Sequence, residues 1–158
     1  MKSATVSELK ATLKATPQAQ LIDLCLRLAR AKKENKELLT YLLYEADDLQ
    51  AYMQSVKEEI TGAFAEINTG NLHWVKKSLR RILRLTNKYI RYTGSKAAEA
   101  ELLLHFCHTV KASHIPILKS AALANLYNSQ LKKIETAIKA QHEDLQRDYF
   151  VQLDALKQ

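Results

Sequence analysis

Residues 71–91 read NLHWVKKSLRRILRLTNKYIR, and the reading of this stretch decides the fold. Wound at about 100° per residue, Lys76, Lys77, Arg80, Arg81, Arg84, Lys88 and Arg91 fall within an arc of roughly 140°. Leu72, Trp74, Val75, Leu79, Ile82, Leu83, Tyr89 and Ile90 fill the other side. Apolar residues at helical spacing, opposite a purely cationic face, define an amphipathic helix. Trp74 and Tyr89 lie on the apolar side, where burial accounts for them better than base stacking.

Composition extends the helical reading to the whole chain. Its 158 residues include three glycines and two prolines, far below the usual share of about 7% and 5%. The tight turns and bulges of a β-rich fold have little to be made from. A chain of this length forms one ordinary domain, able to bury about 70% of the surface exposed when unfolded. The expected fold is all-α, a single domain over residues 1–158 with five to seven helices, as an irregular bundle or a short stack of antiparallel pairs.

Charge is distributed unevenly. Residues 1–33 carry seven basic and two acidic groups, residues 34–66 two and eight, residues 67–98 eight and none, and residues 99–158 seven of each. An acidic segment thus directly precedes a basic one. Cys25 and Cys107 each sit in an apolar-periodic run, where a thiol behaves as a small hydrophobe rather than as part of a disulfide scaffold. The opening MKSATVSELK lacks the apolar run of a signal peptide, and no stretch has the roughly 18 apolar residues that cross a bilayer. A cytoplasmic location is expected.

Thr5 and Ser7 are candidate caps for a first helix carrying Val6, Leu9 and Leu13 on one side. Thr16 before Pro17 marks a second start, with Leu21, Leu24, Cys25 and Leu28 as its stripe and an end near Lys33. From Asn35, the positions Leu39, Leu42, Ala46, Leu49, Met53, Val56, Ile60 and Phe64 predict one long helix, straight or bent. Asn68, Thr69, Gly70 and Asn71 form the clearest turn, making the acidic and basic helices an antiparallel hairpin. Thr93, Gly94 and Ser95 end the basic helix, and a fifth follows over residues 96–112. Pro116 marks a break. The spacing beyond it fits one helix or two, with the kink expected within residues 125–129. The expected core comprises Leu24, Leu28, Leu42, Leu49, Ile60, Phe64, Val75, Leu79, Ile82, Leu102, Phe106, Leu126, Ile134 and Ile138.

Few chemistries fit these residues. Three scattered glycines build no phosphate loop, and neither a nucleophile elbow nor a CxxC pair occurs. Cys107 and His108 are adjacent helical residues pointing about 100° apart, so they form no dyad. Glu101, His105 and His108 stand at i, i+4 and i+7, the spacing of a divalent-metal set. The zinc-protease and di-iron signatures are missing, however, and histidines bordering a core stripe explain the same pattern. No catalytic residue, metal or cofactor is expected, and a metal-dependent activity at Glu101, His105 and His108 ranks third among the functional readings.

Leu9-Lys10-x-x-Leu13, Leu21-x-x-Leu24-x-x-x-Leu28 and Lys36-Glu37-Leu38-Leu39, with the later Lys76-Lys77-x-Leu79, resemble a family of small, uncharacterised all-helical bacterial proteins. That family has no known function, so the resemblance implies a helical fold and transfers no site. The residues themselves point to a non-enzymatic module that binds an acidic protein partner through the basic face formed by Lys76, Lys77, Arg80, Arg81, Arg84, Lys88 and Arg91. Nucleic acid or another polyanion on the same face is the second expectation, with phosphate contacts and steep salt dependence. Pairing of the face with Glu45, Asp47, Asp48, Glu58 and Glu59 would remove both. Oligomeric state stays open at this point.

Overall fold

The computed structural model describes residues 2–157 and contains, among them, eight α-helices and no strand. They are α1 (Val6–Ala15), α2 (Gln18–Ala31), α3 (Lys33–Thr40), α4 (Leu49–Ala65), α5 (Leu72–Thr93), α6 (Lys96–Ala112), α7 (Ala121–Lys139) and α8 (Glu143–Lys157). The all-helical class is as expected. The number is one more than the upper expectation, because the long helix read from Asn35 is in fact two.

That break has local causes. After α3 the chain takes a π turn over Tyr41–Glu45, and Asp48 then caps α4 by accepting the Ala51 amide at 3.0 Å. A short carboxylate that takes a backbone amide competes with helix continuation, so a 3.6-residue apolar rhythm runs through an interruption it cannot register. The break in the C-terminal run likewise falls at residues 140–142 and not within 125–129, which lie inside α7. Thr16 does not cap α2. Its hydroxyl donates back to the Thr12 carbonyl at 2.9 Å, and Pro17 occupies the cap position.

The chain divides into two compact units, one within Met1–Tyr44 and the other within Glu45–Gln158. The first holds α1, α2 and α3, and α2 packs on α3. Its first helix is closed by a capping box: Thr5 Oγ1 accepts the Glu8 amide at 3.3 Å, and the Glu8 carboxylate accepts the Thr5 amide at 2.7 Å. No residue of α1, α2 or α3 is buried. Leu24 and Leu28, expected in the core, are exposed, Leu28 by 62%, and so is Leu42 in the π turn.

The second unit is organised around α6, which packs against α4, α5, α7 and α8. Ala98, Ala100, Leu102, Leu103, Leu104, Phe106, Cys107 and Val110 are all buried, so this helix is apolar around about two thirds of its circumference, as its central place requires. Phe64 of α4 meets Phe106 edge to face at 5.4 Å between ring centroids. Ile60, Val75, Leu79, Ile82, Ile134 and Ile138 complete the expected core, joined by Leu123, Leu153 and Leu156. Leu49 and Leu126 are only half-buried.

Candidate functional site

The basic face stands on α5, a helix fixed at both ends by its own sequence. Asn71 Oδ1 accepts the His73 amide at 2.7 Å, and Gly94 closes the last turn in the left-handed region at φ 60°. A residue with a side chain is strained at that φ, which is why glycine stands there. Val75, Leu79, Ile82 and Thr86 are buried along the inner side, where α5 meets α4 and α6, and Tyr92 is buried in the last turn. Thr86 is accommodated by donating to the Ile82 carbonyl at 3.0 Å. The centre of this inner side lies about 170° around the helix from the centre of the basic arc.

The cations consequently face outward. Lys77, Arg80, Arg81, Arg84 and Arg91 are exposed, and Lys76 and Lys88 are half-buried along their stems. Arg81 meets Glu66 at 4.0 Å, between two exposed side chains. Lys88 holds its ammonium 4.7 Å over the Tyr89 ring. Lys76, Lys77, Arg80, Arg84 and Arg91 have no carboxylate within 4.0 Å among the described residues. His73, Lys76, Lys77, Arg80, Leu83, Arg84 and Asn87 line an open concavity of about 440 Å³.

The acidic helix directs its carboxylates elsewhere. Glu59 accepts a hydrogen bond from the Tyr89 hydroxyl at 2.7 Å, Glu58 accepts one from Gln54, and Asp48 is spent on the α4 cap. Tyr89 also meets Tyr52 of α4 and Tyr92 of its own helix edge to face, so aromatic rings form part of the contact between α4 and α5.

Trp74 departs from expectation. It is 49% exposed, with the Lys77 ammonium 5.1 Å above its ring and His73 against its edge. Trp74 lies only about 20° beyond Arg81, at the margin of the apolar sector, but Tyr92 stands at the same angle eighteen residues on and is buried, so angle alone does not set its exposure. Sequence spacing fixes the angle, whereas what covers each turn of the helix is decided by segments distant in sequence.

Glu101, His105 and His108 share one side of α6, but the structure engages the first two with other helices. Lys57 of α4 donates to Glu101 Oε1 at 2.5 Å, and the Tyr149 hydroxyl of α8 donates to Oε2 at 3.3 Å. His105 Nε2 lies 3.1 Å from the Lys57 carbonyl and 2.9 Å from Thr61 Oγ1. A carbonyl only accepts, so Nε2 carries the hydrogen. Burial is the largest cause holding the His105 pKa below its usual 6.5, and the nearby Lys57 ammonium acts in the same direction. Desolvation, then the Glu101 carboxylate, pushes the Tyr149 phenol up. These residues, with His108 exposed at the rim, line a polar groove of about 480 Å³. No three His, Cys, Asp or Glu side chains among the described residues converge as a metal set. Lys57 and Tyr149 were not anticipated as partners of Glu101, since 44 and 48 residues separate them and no local pattern links such positions.

No helix among the described residues is long and apolar enough to cross a membrane. Comparison of the chain with protein families, with curated proteins and with solved structures gave no match.

Proposed function

We propose that this chain is a non-enzymatic helical interaction module that binds an acidic protein partner through the outer face of α5. The observation that carries the reading is that Lys76, Lys77, Arg80, Arg84 and Arg91 project from one side of a single helix with no carboxylate of the described residues beside them. From Lys76 to Arg91 the face runs roughly 22 Å at 1.5 Å per residue. That length suits a partner helix bearing carboxylates every three or four residues. Beyond Trp74 the face presents no aromatic among its cations until the half-buried Tyr89, so it has no series of rings on which successive bases would stack.

Nucleic-acid binding is the second reading, and Trp74 favours it. An exposed indole beside Lys77 and His73 combines one stacking surface with positive charge.

The two readings separate with two fluorescent probes, an acidic helical peptide and a single-stranded oligonucleotide, each titrated with the full chain over a range of salt. The first reading expects tighter peptide binding, lost in the variant R80Q/R81Q/R84Q. Tighter oligonucleotide binding with a steep salt slope, weakened by Trp74→Ala, selects the second. Binding of neither probe, or binding indifferent to the triple substitution, defeats both.

A further inference from the structure

The first unit leaves apolar side chains in water. On α1, Val6, Leu9 and Leu13 are exposed by 82%, 51% and 43%, and no residue of the helix is buried. At about 100° per residue these three fall within an arc of roughly 60°. Lys10 and Lys14 follow directly on one side of that arc, both exposed. The single carboxylate of α1, Glu8, points to the opposite side and is folded back onto the Thr5 amide and hydroxyl. The stripe therefore has cations at its edge and no anion.

We propose that the Val6, Leu9 and Leu13 stripe of α1 docks onto an anionic lipid surface, with Lys10 and Lys14 reaching the headgroups. A short helix with aliphatic residues on one side and lysines at the boundary is the interfacial pattern: the chains enter the acyl boundary, and lysine stems lie along it while their ammonium groups stay at the headgroups.

Charge decides against a second copy as the occupant. Residues 1–33 carry seven basic and two acidic groups, so two copies meeting on this face would bring two surpluses of five positive charges together. Side-chain type counts against a protein groove, although i, i+3 and i+7 is also the spacing of a helix that enters one. The stripe holds only valine and leucine, whereas the anchors of protein interfaces are chiefly tryptophan, tyrosine and arginine. Anionic lipid answers both features, since it offers apolar depth without a shaped pocket and a negative surface above it. The proposal does not depend on the reading of α5.

The test is co-sedimentation of the full chain with phosphatidylcholine vesicles prepared with and without phosphatidylserine. The wild-type chain is expected to sediment with the phosphatidylserine vesicles only, and Leu9→Gln with Leu13→Gln to lower its partitioning about tenfold. R80Q/R81Q/R84Q is expected to sediment still, which separates this stripe from the α5 face. The proposal is overturned if the wild-type chain does not sediment, or if the leucine pair can be replaced without effect. It also fails if retention is lost only in the arginine variant. Two lipid-free measurements with the same leucine variant cover the other occupants. Dispersal of a wild-type dimer in sedimentation velocity assigns the stripe to a second copy, and a melting temperature lowered by several degrees assigns it to the chain's own interior; either result overturns the proposal.

Discussion

His105 on α6 donates its Nε2 hydrogen to the main-chain carbonyl of Lys57 on α4, at 3.1 Å. The same Lys57 extends its ammonium to Glu101 one turn earlier on α6, so a single residue of α4 ties two positions of the central helix, one through its backbone and one through its side chain. This polar seam borders a core that is mostly aliphatic and aromatic.

The seam makes stability depend on pH. The folded pKa of His105 is held below 6.5 by burial, so between the folded and unfolded values the unfolded chain binds more protons. The contribution of neutral His105 is fully present above pH 6.5 and is lost as pH falls below it toward the folded pKa. Melting temperature measured across this window should drop on acidification. In His105→Gln, whose Nε2 amide can donate to the same carbonyl without titrating, the drop should be smaller.

Glu101 receives both an ammonium and a phenol, with Lys57 and Glu101 side chains only 24% and 23% exposed. Glu101→Gln should cost about 1–2 kcal/mol in urea unfolding, because the half-buried Lys57 charge loses its counter-ion. Tyr149→Phe removes one hydrogen bond and should cost about 1 kcal/mol or less. If the two substitutions combined cost the simple sum, the three groups do not act as a unit.

The two thiols should differ sharply. Cys25 is exposed, whereas Cys107 is buried and desolvation pushes its pKa up to about 12. Native protein treated with a thiol-disulfide reagent at pH 8 should release one equivalent of chromophore rapidly and the second only on unfolding.

Large-to-small substitutions should separate the core from the stripe. Phe106→Ala, at a fully buried position against Phe64, should cost about 3–5 kcal/mol. Leu28→Ala, at a position 62% exposed, should lie within about 1 kcal/mol of the wild type. Equal losses at the two sites would contradict this assignment of the interior.

Gly94→Ala tests the end of the basic helix. The added Cβ meets no atom within 4 Å, so the cost is conformational and arises from φ 60°, about 1 kcal/mol. Gly62→Ala, inside α4 with equal space, should instead be neutral or slightly stabilising.

The sequence by itself determined that the chain is helical, where α1, α5 and α6 lie, and that seven cations share one side of α5. All of these follow from intervals of a few residues: apolar period, capping side chains and a glycine that tolerates positive φ. Only tertiary structure decided which apolar residues are covered. Leu28 and Leu102 occupy comparable positions in apolar stripes, yet one is exposed and the other lies at the centre of four surrounding helices. Periodicity fixes an angle around a helix axis, whereas burial depends on which segment distant in sequence arrives at that angle. For the same reason Trp74 could be placed on its helix but not in or out of water, and the tie between Lys57 and Glu101 had no trace in any local pattern.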